Sequence, residues 1–266
     1  MKTVWKVLLS LGAVLIAVGV TVLIIGYAMN DWHSVNANFD VQSMEFEGVT
    51  KLDVESDALD IEFEFYDGEK LHIDYPVREG YLSAESSQVE DTVRFESEYL
   101  KKYHSFGFFG KNPPPVTVKI PSSYEPLNIT VNSGAGNVKL AAGTYGNLDI
   151  DLAAGNFKMK EITAQNLKIN LDVGNVTANS VKCNKLTASL DCGNFTVDKV
   201  ECPDISVEND CGNVQFAVVG ARTEYNITAH CDLGNCELQE RDDPAAEKRL
   251  SVDVSLGNLQ VTFTQS

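Results

Sequence analysis

The sequence predicts an all-β fold: a right-handed parallel β-solenoid of about 19-residue coils with an N-terminal β cap, preceded by one transmembrane helix. Three observations carry this expectation. An uncharged run occupies residues 7–29, a Gly-Asn dipeptide returns at near-constant spacing through the second half, and apolar and polar residues alternate on both sides of each dipeptide.

The first element is VLLSLGAVLIAVGVTVLIIGYAM, 23 residues without a charge. As a helix it spans a hydrocarbon layer of about 30 Å. It is longer than the apolar part of a cleavable signal peptide, and neither an A-x-A pattern nor a cysteine follows it, so it reads as an uncleaved signal-anchor. Lys2 and Lys6 precede the run, and the next basic residue after His33 is Lys51. Positive residues stay inside, which predicts a single-pass cell-membrane protein with a cytoplasmic N-terminus and an extracytoplasmic bulk. Trp5, Tyr27 and Trp32 fit interfacial aromatic belts. Gly12, Gly19 and Gly26 form a small-residue stripe that either packs against another helix or is merely tolerated. The expected organisation is a cytoplasmic tail (residues 1–6), the helix (7–29), a stalk (30–45), the β cap (46–126) with an aromatic loop (97–116), and the solenoid repeats (127–266).

The cap is read from residues 49–75, which alternate like strands around a Tyr66-Asp67-Gly68 turn, and from further strands at 93–98 and 116–120. The end of a solenoid is an open sheet edge that needs covering. Between the last two strands lies SEYLKKYHSFGFFGKNPPPV, whose glycines and prolines exclude a regular element. Its Tyr103, Phe106, Phe108 and Phe109 are the candidate partner-binding residues, in a loop that either holds a partner or tucks against its own domain.

The repeat is Gly136-Asn137, Gly155-Asn156, Gly174-Asn175, Gly193-Asn194, Gly212-Asn213, Gly234-Asn235 and Gly257-Asn258, with spacings of 19, 19, 19, 19, 22 and 23. Gly146-Asn147 falls out of register. Seven residues before each glycine stand Ile129, Leu148, Leu167, Leu186, Ile205, Ile227 and Leu250; two after stand Val138, Phe157, Val176, Phe195, Val214, Cys236 and Leu259. Period-2 alternation marks strands with one buried face. Each unit is therefore strand, corner, strand and return, too small to bury its own face, so copies must stack about 4.8 Å apart. The right hand follows from the rule for parallel crossovers. Glycine supplies positive φ at the corner, and stacked asparagines can bond amide to amide between coils.

Five of the six cysteines fall into these columns. Cys192 and Cys211 stand just before a glycine, Cys183 and Cys202 nine residues after one, and Cys236 two after one, all expected to be inward positions where a thiol acts as a small hydrophobe. Two states stay open: buried thiols, or bridges Cys183–Cys202 and Cys192–Cys211 one coil apart. Zinc lacks a C-x-x-C or paired-histidine signature; His230, Cys231 and Cys236 are the nearest approach. Asp172, Asp191, Asp210 and Asp232 form an outward column two residues before the glycine. The favoured reading is an Asx-type bond from each carboxylate to its own corner amides; they are also the weak calcium candidates.

The net charge is −17, and setting aside Lys2 and Lys6 leaves 19 basic against 38 acidic residues. That argues against nucleic acid and against docking on anionic lipid through a basic patch. No nucleophile–base pair, phosphate loop or metal signature occurs, so neither an enzyme nor a cofactor is expected. The recurrent [L/I]-x-[I/V]-x-x-D-x-G-N-[V/F] units resemble the bacterial β-strand-repeat domains of unknown function known as putative adhesins, over residues 46–263. The resemblance implies a membrane-anchored, adhesin-like or envelope-associated module binding a protein or cell-envelope ligand, and it carries over no catalytic residues. Alternatives are an accessory or sensor subunit of a membrane signalling or transport complex, and a carbohydrate-active enzyme. A homo-oligomer through the helix or a solenoid edge is compatible with either binding role.

Overall fold

The computed structural model describes residues 39–100, 113–124 and 126–264. In chain order the first strands are β1 (Asp40–Phe46), β2 (Lys51–Ser56), β3 (Ile61–Tyr66), β4 (Leu71–Val77), β5 (Leu82–Val89), β6 (Thr92–Tyr99) and β7 (Val116–Pro121). The coils that follow are strand pairs: β8 (Leu127–Ser133) with β9 (Val138–Leu140), β10 (Gly143–Ala154) with β11 (Phe157–Thr163), and β12 (Asn166–Val173) with β13 (Val176–Lys182). Next come β14 (Lys185–Cys192) with β15 (Phe195–Glu201), β16 (Asp204–Cys211) with β17 (Val214–Val219), then β18 (Tyr225–Leu233), and finally β19 (Lys248–Leu256) with β20 (Leu259–Thr264).

The strand before each corner joins one sheet and the strand after it joins the other. The first sheet runs β5–β6–β2–β8–β10–β12–β14–β16–β19–β18. The second runs β1–β4–β7–β3–β9–β11–β13–β15–β17–β20. All these pairings are parallel except β5–β6, β1–β4 and β4–β7, which close the N-terminal end with antiparallel strands. Between the sheets lies one core. The columns at Leu148/Leu167/Leu186 and Phe157/Val176/Phe195 are buried, as the alternation requires.

The stack does not follow chain order at its ends. β2 and β3 sit between the β6/β7 coil and the β8/β9 coil, with Leu52 opposite Ile129 and Val54 opposite Val131. In the same way β19 lies between β16 and β18, so the Gly257 coil stacks directly on the Gly212 coil and β18 becomes the edge strand. Each insertion gives the inserted strand hydrogen-bonded neighbours on both sides, which leaves one edge strand per sheet at each end.

One expectation is corrected here. The column just before the glycines faces solvent: Cys192 and Cys211 are exposed, and Val173, Leu256 and Leu233 are 57%, 51% and 66% exposed. Cys236 is exposed as well. Burial stops at the third residue before the glycine, Leu152, Leu171 or Leu190. Beyond it the strand runs past the edge of the sheet it packs on, so an inward-pointing side chain meets water. Cys183 and Cys202 are buried as expected.

Candidate binding surface

The corner edge is built by glycine and asparagine together. Gly174 has φ +150°, and a Cβ placed there would lie 1.6 Å from the Gly155 carbonyl oxygen. No other residue tolerates both. The Gly174 N–H donates to the Cys192 carbonyl of the next coil at 2.9 Å. Next to it the asparagines form a continuous ladder in stack order: Asn137, Asn156, Asn175, Asn194, Asn213 and Asn258, with side-chain amides 2.8–3.0 Å from the preceding amide oxygen. Asn235 ends it, its backbone N–H 3.2 Å from Asn258 Oδ1. Asp60 starts it, accepting from Asn137 N at 2.7 Å and Nδ2 at 3.0 Å. Gly146-Asn147, out of register with these corners, joins a second ladder from Asn128 through Asn147 to Asn166.

These bonds overturn the expected Asx turns. Corner amides are already taken by a neighbouring carbonyl and a neighbouring asparagine, so the aspartates have nothing left to cap. Asp172 and Asp191 are exposed, and their carboxylates make no hydrogen bond or ion pair among the described residues. Asp210 accepts a 3.4 Å bond from Ser255, which interrupts the column before Asp232, itself paired with His230 at 2.8 Å. One carboxylate per coil offers a cation fewer oxygens than the about six to eight that calcium takes. No group of three or more potential metal ligands occurs among the described residues. His230 turns to Asp232 on the outer face while Cys231 is half-buried on the other, which separates the nearest approach to a zinc set. A groove on the outer face of β15, β17 and β20 is lined by Thr196, Asp198, Gln215, Gln260 and Thr262.

In the chain, the aromatic segment lies between β6, which ends at Tyr99, and β7, which begins at Val116. Tyr103, Phe106, Phe108 and Phe109 lie outside the described residues, as do Gly12, Gly19 and Gly26 and the whole expected helix. Among the described residues no helix is long and apolar enough to cross a membrane. The root of the loop is an aromatic cluster that sequence reasoning missed. Tyr81 packs edge-on against Tyr99 at 5.4 Å, Phe39 lies 6.3 Å from Tyr81, and the Arg78 guanidinium stands 4.9 Å over the Tyr81 ring. The Leu100 N–H donates to the Tyr81 carbonyl at 3.0 Å, and the Tyr99 N–H to Asp57 at 3.0 Å. Burial, then the neighbouring Tyr81 and Asp57, push the Tyr99 hydroxyl up to about 12. Thus Phe39 and Leu100, the first described residue and the last before the loop, both rest on Tyr81. Tyr81 stands in a short turn with no periodic signal to single it out.

No curated protein matches the chain. Several solved structures are similar to it at low identity. A putative adhesin from Bacteroides fragilis is 14% identical with a TM-score of 0.44, covering 85% of this chain and 98% of that one. A putative cell adhesion protein from Clostridium sporogenes is 13% identical with a TM-score of 0.37, covering 86% and 100%. A putative lipid binding protein from Parabacteroides distasonis is 13% identical with a TM-score of 0.40, covering 86% and 98%. Residues 49–265 match the family model described as Toastrack DUF4097, which takes in the stacked coils from β2 to β20. The chain belongs to the Toastrack DUF4097 family, a β-repeat domain of unknown function.

Proposed function

We propose that the protein is a membrane-anchored, extracytoplasmic binding module, adhesin-like or envelope-associated, whose contact surface includes residues 97–116. The observation that supports this is the place of that segment in the coil plan. In the later coils the chain crosses from sheet to sheet through a Gly-Asn corner; between β6 and β7 it instead takes residues 100–115. Lengthening a loop adds closure entropy only slowly, and insertions in repeat proteins collect on one face, often the binding face. Phe106, Phe108 and Phe109 lie within four residues, with Lys101, Lys102 and Lys111 near them in a chain of net charge −17. Aromatic anchors of this kind carry most of an interface's energy. The uncharged run at residues 7–29 supports the anchor, and the lysines before it support the orientation.

The test is photo-crosslinking in intact cells from a reactive group at position 103, in the parent and in the Phe106→Ser, Phe108→Ser, Phe109→Ser triple variant. A dominant adduct in the parent, lost in a variant with a parent-like circular dichroism melt, is the expected result. A lowered melt would make the loop a plug of its own domain. A parent-like melt with unchanged adducts would place the contact elsewhere.

A further inference from the structure

All six cysteines are free thiols, and their surroundings separate them. Cys183 and Cys202 are buried, and Cys231 and Cys236 flank the corner of a single coil. Cys192 and Cys211 differ from both pairs. They are exposed, and they stand directly opposite each other in the parallel register of β14 and β16. Adjacent strands about 4.8 Å apart place such partners inside the Cα window of about 4.4–6.8 Å that a disulfide accepts. Residues paired in register project to the same face, so the two thiols lie side by side. Above and below them in the column are Val173 and Leu256, which offer sulfur no polar partner. Each of these thiols therefore has the other as its nearest reactive group.

We propose that Cys192 and Cys211 are a redox-active dithiol, a modification site on the outer edge of the stack that a small-molecule disulfide closes into an inter-coil bridge. With glutathione disulfide as oxidant, one cysteine thiolate attacks a sulfur of the reagent, breaking its S–S bond and expelling a glutathione thiolate. The second cysteine, as thiolate, attacks the protein sulfur of the mixed disulfide and expels the second glutathione. Two protein thiols are oxidised, one disulfide is made and one reduced, and the two protons leave on the two glutathione thiols. The adjoining Cys211 thiol first, and then the charges of Asp191 and Asp210, hold the Cys192 thiol above its ordinary range. Thiolate is therefore scarce at neutral pH, and the exchange needs excess disulfide. Once closed, the bridge joins coils already in register, so no backbone movement is required.

The test uses the full chain in detergent, titrated with glutathione disulfide, blocked with an alkylating reagent and mapped as non-reduced peptides. A Cys192–Cys211 linked peptide is expected to appear about tenfold or more faster than any Cys183–Cys202 link, because access governs the rate. The bridged chain should melt higher than the reduced one. Cys192→Ser and Cys211→Ser should each trap one glutathione on the remaining cysteine and lose the shift in melting; both change an exposed residue, and the reduced variants should melt like the parent. Glutathione held on both cysteines of the parent without closure would overturn the proposal. So would Cys192 and Cys211 remaining open to alkylation after the buried pair has linked.

Discussion

Asn137 Oδ1 accepts two hydrogen bonds from Asn156 of the next coil, one from its side-chain amide at 2.8 Å and one from its backbone N–H at 3.1 Å. The double contact recurs at Asn175, Asn194, Asn213 and Asn258. Each asparagine from Asn137 to Asn213 thus gives two bonds to one neighbour and receives two from the other. Asp60 only receives, which suits the first rung. Asn175→Ala removes an acceptor serving two donors and should cost about 1–3 kcal/mol. Asn235→Ala, at the last rung, loses only a 3.2 Å side-chain bond to Glu237 and should stay within about 0.5 kcal/mol. Urea midpoints at unchanged slope measure both. Equal losses would mean that the ladder adds nothing to the backbone stack.

Gly174→Ala tests the corner itself. The added Cβ meets the Gly155 carbonyl oxygen at 1.6 Å, a backbone atom that cannot swing aside, at a φ of +150°. Gly80 is the control: its φ is also positive, at +67°, but a Cβ there meets nothing within 4 Å. Gly80→Ala should cost about 1 kcal/mol from φ alone, and Gly174→Ala about 3 kcal/mol or more. Thermal melts that rank the two variants in the opposite order would contradict the close-approach argument.

The core columns and the ladder were legible in the sequence because both are periodic: Leu167, Leu186 and Ile205 recur at the coil spacing, as do Asn156, Asn175 and Asn194. What period-2 alternation cannot show is where the opposite sheet ends. Cys192 continues the inward parity of Leu186, Ala188 and Leu190, yet the core stops at Leu190. Coil order was equally hidden. The longer spacings before Gly234 and Gly257 signal extra residues, but nothing local says that β19 will slip between β16 and β18. Asp60 escaped notice because Leu59-Asp60 stands where later coils have Gly-Asn. For the binding surface, composition marked the aromatic loop, whereas Tyr81 at its root had no pattern to announce it.

Tyr225 should impose an alkaline limit on stability. Its side chain is 1% exposed, donates to the Cys202 carbonyl at 3.0 Å and packs against Phe263. Burial, then the negative charges of Cys202, Glu224 and Glu201, push its hydroxyl from 10.0 up to about 12. The folded value lies above the unfolded one, so the unfolded chain loses this proton first as pH rises. The contribution is whole below about pH 10 and disappears as pH rises toward about 12. Melting temperature should therefore fall more steeply across that window than below it. Tyr225→Phe should flatten the slope without abolishing it, since Tyr99 is raised in the same direction. An identical slope in parent and variant would show that Tyr225 is not responsible.

Among the described asparagines, Asn209 works against the stack. It occupies the column of Leu152, Leu171 and Leu190 on one side and Val254 on the other, 1% exposed. Its amide donates to the Gly193 carbonyl at 3.0 Å, while its Oδ1 is buried with no partner. An orphaned buried acceptor costs about 1–3 kcal/mol, whereas the bond to Gly193 returns only about 0.5–1.5 kcal/mol. Replacing the amide by an apolar group of similar size removes both, and the greater of the two, the cost of the orphaned oxygen, decides the sign. Asn209→Leu is therefore expected to raise stability by up to about 2 kcal/mol, its isobutyl group continuing the column above Leu190. Asn209→Ala should lower it, because a cavity replaces the amide between Leu190 and Val254. Urea unfolding of the two variants beside the parent measures the difference. A loss of more than about 1 kcal/mol in Asn209→Leu would mean that the bond to Gly193, which ties one coil's core column to the previous coil's corner, outweighs the orphaned oxygen.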